Sequence, residues 1–240
     1  MPPLILALGS KMGINLSSEE YYLLQFELKK LIDSLHPDLF HNKLSKVDIK
    51  RERIIQLIEA IQKNAFQNGE LIDVFLFLLQ HLLPVEYQRL VVTEHIDSSS
   101  ELYEFNPVKN GQNIVKHGVS FTEVVSYSNR FGALLVPCPD EQDKERFVIF
   151  SDLSIDKNRR KLVFPLPKIE QQTQCYVISI VQIKEDRKFR FISSRVMSRK
   201  RHKKTLKNAL KNIYNGQPEK KNVFLEECLK ILERDLFRTA

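Results

Sequence analysis

Residues 102–204 constrain the fold most, because two helix-start signals, a series of strand candidates and a dense basic end follow one another in that order. Asn106-Pro107 opens a helix. The asparagine can cap free backbone N–H groups, and proline loses nothing at the first helical position. Gly118 supplies the positive φ that closes this helix. Ser120 and Glu123 have the capping-box spacing and predict a second helix to about residue 128. Strands are then expected at 131–138, 146–151, 175–183 and 189–193. A further candidate at 161–166 contains Pro165 and precedes Pro167, which makes it an edge or a broken strand. Glu185, Asp186 and Arg187 form a hairpin turn between the last two strands. Two helices ahead of a meandering antiparallel sheet predict an α+β domain.

The chain before this stretch reads as helical. Ser17 and Glu20 predict a capped helix over 17–35, with Leu24, Leu28, Leu31, Ile32 and Leu35 on one face and Pro37 as its stop. A second helix is expected over 46–67, ended by Asn68-Gly69. A third, over 70–83, is apolar around most of its circumference and so should be central. A short fourth is expected over 85–95. Together these make a small antiparallel bundle. The polar run Asp97-Ser98-Ser99-Ser100 has nothing to bury and reads as a linker. The expected organisation is a helical module over 1–97, a linker at 98–101, an α+β domain over 102–214 and a C-terminal helix within 215–240.

Charge is unevenly distributed. The 240-residue chain carries +7 overall. Residues 1–99 are net −3 (10 Lys/Arg against 13 Asp/Glu), whereas residues 100–214 are net +10 (22 against 12). A concentrated positive field suits a phosphate backbone or another polyanion. Three widely spaced cysteines, Cys138, Cys175 and Cys228, form neither a ligand set nor a disulfide framework, which points to a reducing, cytoplasmic setting. The apolar run at 4–8 has no basic residue ahead of it and makes a poor signal peptide. No stretch reaches membrane-spanning length. The six histidines make no metal-ligand pattern with cysteines or paired carboxylates, and no phosphate-gripping glycine loop is present; neither metal nor cofactor is expected.

Four blocks in the central stretch carry a family resemblance. They are Tyr103-Glu104-Phe105-Asn106-Pro107-Val108-Lys109, then Asn113-Ile114-Val115-Lys116-His117-Gly118-Val119-Ser120-Phe121-Thr122-Glu123, then Glu145-Arg146-Phe147, and last Arg190-Phe191-Ile192-Ser193-Ser194-Arg195 with basic residues beyond it. In order, spacing and residue type these resemble BrnT-type toxins, the ribonuclease components of bacterial toxin–antitoxin pairs with a RelE-like fold. The resemblance covers residues 102–204. It departs from the family in Asn106, where an aspartate is usual, in a longer charged segment over 155–174, and in both flanking helical regions. It implies a RelE/BrnT-like antiparallel-sheet domain, following an N-terminal helical bundle and followed by C-terminal helices.

The activity implied by the resemblance is metal-independent endoribonuclease chemistry. The ribose 2′-oxygen attacks the adjacent phosphate, cations stabilise the pentavalent phosphorane, and acid–base groups move the protons. Lys116, Arg146, Arg190 and Arg195 can bind phosphate oxygens, arginine in a bidentate fork. His117 or Glu123 can exchange the proton. Ser193 can donate to phosphate, and Arg199, Lys200 and Arg201 extend the cationic surface. Each residue has a plainer role open to it. His117 can close its helix in favourable contact with the dipole, Glu123 can serve only the capping box, and the arginines can pair with carboxylates of the fold. The alternative function is a non-catalytic, toxin-derived scaffold that binds nucleic acid or protein, including a chaperone-linked adaptor.

His36-Pro37-Asp38 resembles the loop tripeptide of J-domains, which stimulate ATP hydrolysis by Hsp70-type chaperones. In that family the tripeptide lies between two antiparallel helices and touches the partner. Its plainer reading is a proline helix stop with Asp38 satisfying loop donors. The partners implied are therefore RNA, an antitoxin-like protein and an Hsp70-type chaperone. At the C-terminal end, a basic helix is expected after Met197-Ser198, and a last helix over 222–237 that can return to the bundle or occupy the surface antitoxins use.

Overall fold

The computed structural model of the protein describes residues 18–34, 36–63, 65–66, 68–89, 95–96, 102–138, 145–154, 174–185, 187–214 and 217–235. The sequence-predicted linker at 98–101, the apolar run at 4–8 and the candidate strand at 161–166 lie outside the described residues. The architecture is α+β, with N-terminal helices, a mixed sheet and C-terminal helices. It forms two compact units that are not contiguous in the chain. The first holds the described residues up to His95 together with Phe105–Ser120. The second holds Ile96–Glu104 and the described residues from Phe121 onward.

The first unit is built from α1 (Ser18–Ser34), α2 (Pro37–Lys43), α3 (Arg51–Gln62), α4 (Asn68–Leu82), the four-residue α5 (Pro84–Tyr87) and α6 (Pro107–His117). Leu28 and Ile32 of α1 and Ile54, Leu57 and Ile61 of α3 are buried, as their three-and-four spacing predicts. Residues 72–79 of α4 are buried without interruption, so this helix is the centre of the unit. The helix expected over 46–67 is shorter and preceded by two other elements. Pro37 both follows α1 and opens α2 at the first helical position, which its fixed φ suits. A 3₁₀ turn at Ser45–Val47 and a left-handed Asp48 then reset the chain direction before α3. Asn68-Gly69 does not end a helix but begins α4.

Helix α6 has its predicted ends. The Asn106 side chain accepts from the Lys109 N–H at 3.2 Å, and Gly118 closes the helix at φ 71°. Its packing was not legible: it lies against α4 rather than standing with the strands. A Cβ added at Gly111 would fall 2.0 Å from the Asp73 carbonyl oxygen, so only glycine permits the backbone approach seen there. Beside it the Asn110 amide donates to the Asp73 carboxylate at 2.6 Å. From α3, Arg53 donates to the carbonyls of Val115 and Ile114 near the end of α6.

The second unit is a sheet flanked by helices. The strands are β1 (His95–Ile96), β2 (Tyr103–Phe105), β3 (Leu134–Pro137), β4 (Arg146–Ser154), β5 (Gln174–Ile183) and β6 (Phe189–Met197), in the spatial order β1-β2-β6-β5-β4-β3, with only the end residues His95 and Phe105 counted in the first unit. From β3 to β6 neighbouring strands are antiparallel, as expected, but β2 runs parallel to β6. No hairpin joins β2 to β6, so nothing in the connection imposes the antiparallel direction.

The two faces of the sheet follow from its register. Val148, Phe150, Tyr176 and Ile178 lie on one face, beneath Leu206, Ala209 and Leu210 of α8 (Arg199–Ile213) and Leu225, Leu229 and Leu232 of α9 (Pro218–Asp235). Phe147, Val181 and Phe191 lie on the other. There α7 (Phe121–Phe131) brings Phe121 to 5.3 Å from Phe191, ring centre to ring centre. Tyr103 joins this aromatic layer at 5.9 Å from Phe189 and 5.6 Å from Phe191, which anchors the short β2.

Candidate functional site

The register aligns Arg146 of β4, Gln182 of β5, Arg190 of β6 and Glu104 of β2 in a single row across four strands. Directly opposite residues share a face, so this row lies at one end of the face that α8 and α9 cover elsewhere. Arg146 and Arg190 are two strands apart, about 10 Å at the backbone. The Arg190 Nε donates to the Glu104 Oε1 at 2.8 Å. The Glu104 side chain is 9% exposed and that of Arg190 32%, so the arginine keeps a solvent-facing edge while the carboxylate is enclosed. Gln182 donates to Glu145 at 3.1 Å, beside the start of β4.

The same face carries Ser193 and Arg195. Strand alternation alone would set these residues opposite Arg190, because their separations from it are odd. Ile180 pairs with Ser193 and Val181 with Phe191, which leaves Ile192 as an extra residue on β6. This bulge shifts the alternation by one. Ser193 and Arg195 therefore emerge beside Ile180 and Ile178 on the face of Arg190. Ser194 turns the other way, into a buried 2.7 Å hydroxyl contact with Ser179. Arg195 is exposed and Ser193 half-buried.

Helix α8 begins one residue after β6. Ser198 caps it, its hydroxyl accepting from the Arg201 N–H at 3.4 Å. Arg199, Lys200 and Arg201 are exposed in its first turn. His202 points inward, its ring 5.4 Å from that of Phe150 and 5.3 Å from that of Tyr176. Burial pushes the His202 imidazole down to about 4, against a smaller opposing effect of a backbone hydrogen bond at Val177. It is therefore neutral near pH 7 and contributes no charge to the basic helix.

The remaining expected site residues are elsewhere. Lys116 and His117 form the last turn of α6 and belong to the first unit, both half-buried. Glu123 lies in the first turn of α7, the helix packed on the opposite face of the sheet from the arginines. The structure thus brings together Arg146, Arg190, Ser193 and Arg195, and does not bring Glu123 onto their face. Sequence spacing assigns no role to Glu104 or Gln182. The only signal for Glu104 was its position between two aromatics in the Tyr103-Glu104-Phe105 block, which marks a charged side chain on the opposite face from Tyr103 and Phe105.

His36-Pro37-Asp38 is used locally. The His36 side chain caps α2 by accepting from the Asp38 N–H at 3.4 Å, and Pro37 takes the first helical position. The exposed Asp38 carboxylate accepts from Arg51, whose hydrogen bond holds it below the usual carboxylate range. The tripeptide begins a seven-residue helix whose acidic group already has a cationic partner in the same unit.

Among the described residues, no group of three or more His, Cys, Asp or Glu side chains is placed to hold a metal ion. Among them also, no helix is long and apolar enough to cross a membrane. Comparison with protein-family models, curated proteins and solved structures finds no match to the chain.

Proposed function

We propose that the second unit binds RNA on its arginine-bearing sheet face and cleaves it as a metal-independent endoribonuclease, in the manner of the toxins its sequence blocks resemble. The observation that carries this reading is the shared face of Arg146, Arg190 and Arg195, drawn from blocks far apart in the chain. Cations on a rigid sheet can hold the oxygens of one phosphate and stabilise its pentavalent form. In the reaction the O2′–P bond forms as the P–O5′ bond breaks, leaving a 2′,3′-cyclic phosphate and a free 5′-hydroxyl. Ser193 donates to a phosphate oxygen. Glu104 holds the Arg190 guanidinium in place. The proton lost by the 2′-hydroxyl is balanced by the one gained at the leaving 5′-oxygen, and Glu123, on the far layer of the sheet, does not carry it.

A non-catalytic scaffold that binds nucleic acid or protein is the second reading. It is favoured by the engagement of Arg190 with Glu104 and by the position of Glu123. The two separate in an RNA cleavage assay run in EDTA with wild type, Arg146→Ala and Arg190→Ala. Cleavage by wild type that both variants lose supports the enzyme. Binding of varied RNAs without cleavage by any of the three supports the scaffold. An antitoxin-like partner fits either reading, because the cationic face would attract an acidic protein; chaperone recruitment through Asp38 requires release of Arg51 first.

A further inference from the structure

Helix α8 carries seven Lys/Arg and no Asp/Glu in its fifteen residues. Its inward side is fully committed: His202, Leu206, Ala209 and Leu210 are all buried against the sheet and α9. At 100° per residue, Lys200, Lys203, Lys204, Lys207 and Lys211 fall within an arc of about 100° on the solvent side. All five are exposed. The other exposed residues described on the helix are Arg199, Arg201, Asn208 and, at its last position, Ile213, with Thr205 half-buried. The lysines therefore form a ridge along one flank of the helix, about 16 Å from Lys200 to Lys211 at 1.5 Å per residue. The first turn also sets three cations at the end of the helix where the dipole disfavours them. Local stability does not select that arrangement, and a bound polyanion would relieve it.

We propose that this lysine ridge is an RNA-backbone track, which the chain uses to hold RNA independently of its sequence beside the arginine face. The inference rests on the proposed RNA-binding function and names the surface that supplies affinity. Three features favour RNA over other polyanions. The ridge contains no aromatic or aliphatic side chain of the kind that centres a protein interface, where charged residues are depleted. Leu206, Ala209 and Leu210 of α8 are buried in the fold and Ile213 alone is an exposed aliphatic at its end, so the helix has no apolar face to insert among lipids. Five lysines present point charges without the fork that reads a particular base or carboxylate, which suits a repeating phosphate chain. The ridge leads away from Arg195, the last arginine of the sheet face, through Ser198 and Arg199.

The test uses full-length protein and a fluorescent twenty-nucleotide 2′-O-methyl oligouridine, which lacks the 2′-hydroxyl nucleophile and is not cut. Anisotropy titrations are run in EDTA from low to moderate salt. Five phosphate contacts along the ridge contribute about −3.5 to the log–log salt slope of wild type, in addition to any contacts of the arginine face. The Lys204→Gln/Lys207→Gln/Lys211→Gln variant changes only exposed positions. It should shift the slope by about 2 and weaken binding at 0.1 M salt roughly ten- to a hundredfold. An unchanged affinity and slope overturns the ridge. So does equal loss of binding to polyglutamate or to anionic vesicles when wild type prefers those to RNA, since the ridge then serves an acidic protein or a membrane. Cleavage is read separately on unmodified RNA. If the ridge variant loses binding while wild type never cleaves, the track stands and the ribonuclease falls. If cleavage occurs and the ridge variant binds normally, the ribonuclease stands and the track falls.

Discussion

Arg190 and Arg195 stand five residues apart on β6 yet share one face of the sheet, because Ile192 has no partner on β5. An odd separation in an unbroken strand puts two side chains on opposite faces. The bulge thus does for this site what sequence spacing cannot: it gathers three arginines from two strands onto a single surface. It also sends Ser194 inward to Ser179.

The Glu104–Arg190 pair makes the first stability prediction. Arg190→Ala leaves an enclosed carboxylate without its cation, at a cost of about 1–3 kcal/mol, below the range for fully buried pairs because Arg190 is partly exposed. Glu104→Gln keeps a hydrogen-bond acceptor and should cost less. Urea unfolding of both single variants and the double variant checks this. The double variant should be more stable than Arg190→Ala alone; if it is not, the pair is not what makes the alanine change costly.

Asp73 predicts a pH dependence in the first unit. Burial raises its carboxyl to about 7, with the Asn110 hydrogen bond opposing and Glu70 adding to the rise. The sign follows from proton counting. Between about pH 4 and 7 the folded state keeps the proton and the unfolded state has lost it, so stability falls as pH rises through that window. Asp73→Asn can still accept from Asn110 but carries no charge. Its urea midpoint should be higher than wild type at pH 8 and flatter from pH 5 to 8. Parallel pH curves for the two proteins would remove Asp73 as the cause.

His202 predicts the opposite trend in the second unit. Its folded value is about 4, below the ordinary histidine value of 6.5. Between these the unfolded state binds the proton and the folded state does not, so stability falls as pH drops. Hydrogen exchange corrected for intrinsic rates should show β4 and β5 losing protection from pH 7 to pH 5, while α4 and α6 gain it through Asp73. A uniform change across both units contradicts the pair of assignments.

Two glycines predict opposite effects of one substitution. Gly111→Ala drives a methyl group into the Asp73 carbonyl and should cost about 3 kcal/mol, with α6 loosened from α4. Gly69→Ala meets nothing within 4 Å near the start of α4 and should gain up to about 1 kcal/mol, since alanine is the better helix former. Thermal melts of the two variants moving in the same direction would exclude the close approach at residue 111.

Most elements were legible because they rest on local rules. The caps of α6, the apolar circumference of α4, and the strands and turn from Gln174 to Met197 all follow from side chains acting on their own backbone or on the nearest turn. The start of α3 is not legible in local spacing, because Asp48 takes a left-handed conformation between buried Val47 and Ile49, a compromise set by packing. Glycine at 69 is compatible with a helix end and a helix start alike, so Asn68-Gly69 does not by itself place the boundary on either side of α4.

The sequence by itself determined the α+β class, the longer helices, the antiparallel strands from β3 to β6, and the concentration of positive charge in the central stretch, since each depends on residue type and short-range spacing. Tertiary structure decided that α6 packs with the N-terminal helices, because that contact turns on one missing Cβ meeting a backbone about forty residues away in the chain. It also decided which cations share a surface. Strand register and a single unpaired residue set the face of Arg195, and the sheet itself separates those arginines from Glu123; neither depends on anything a local spacing rule can read.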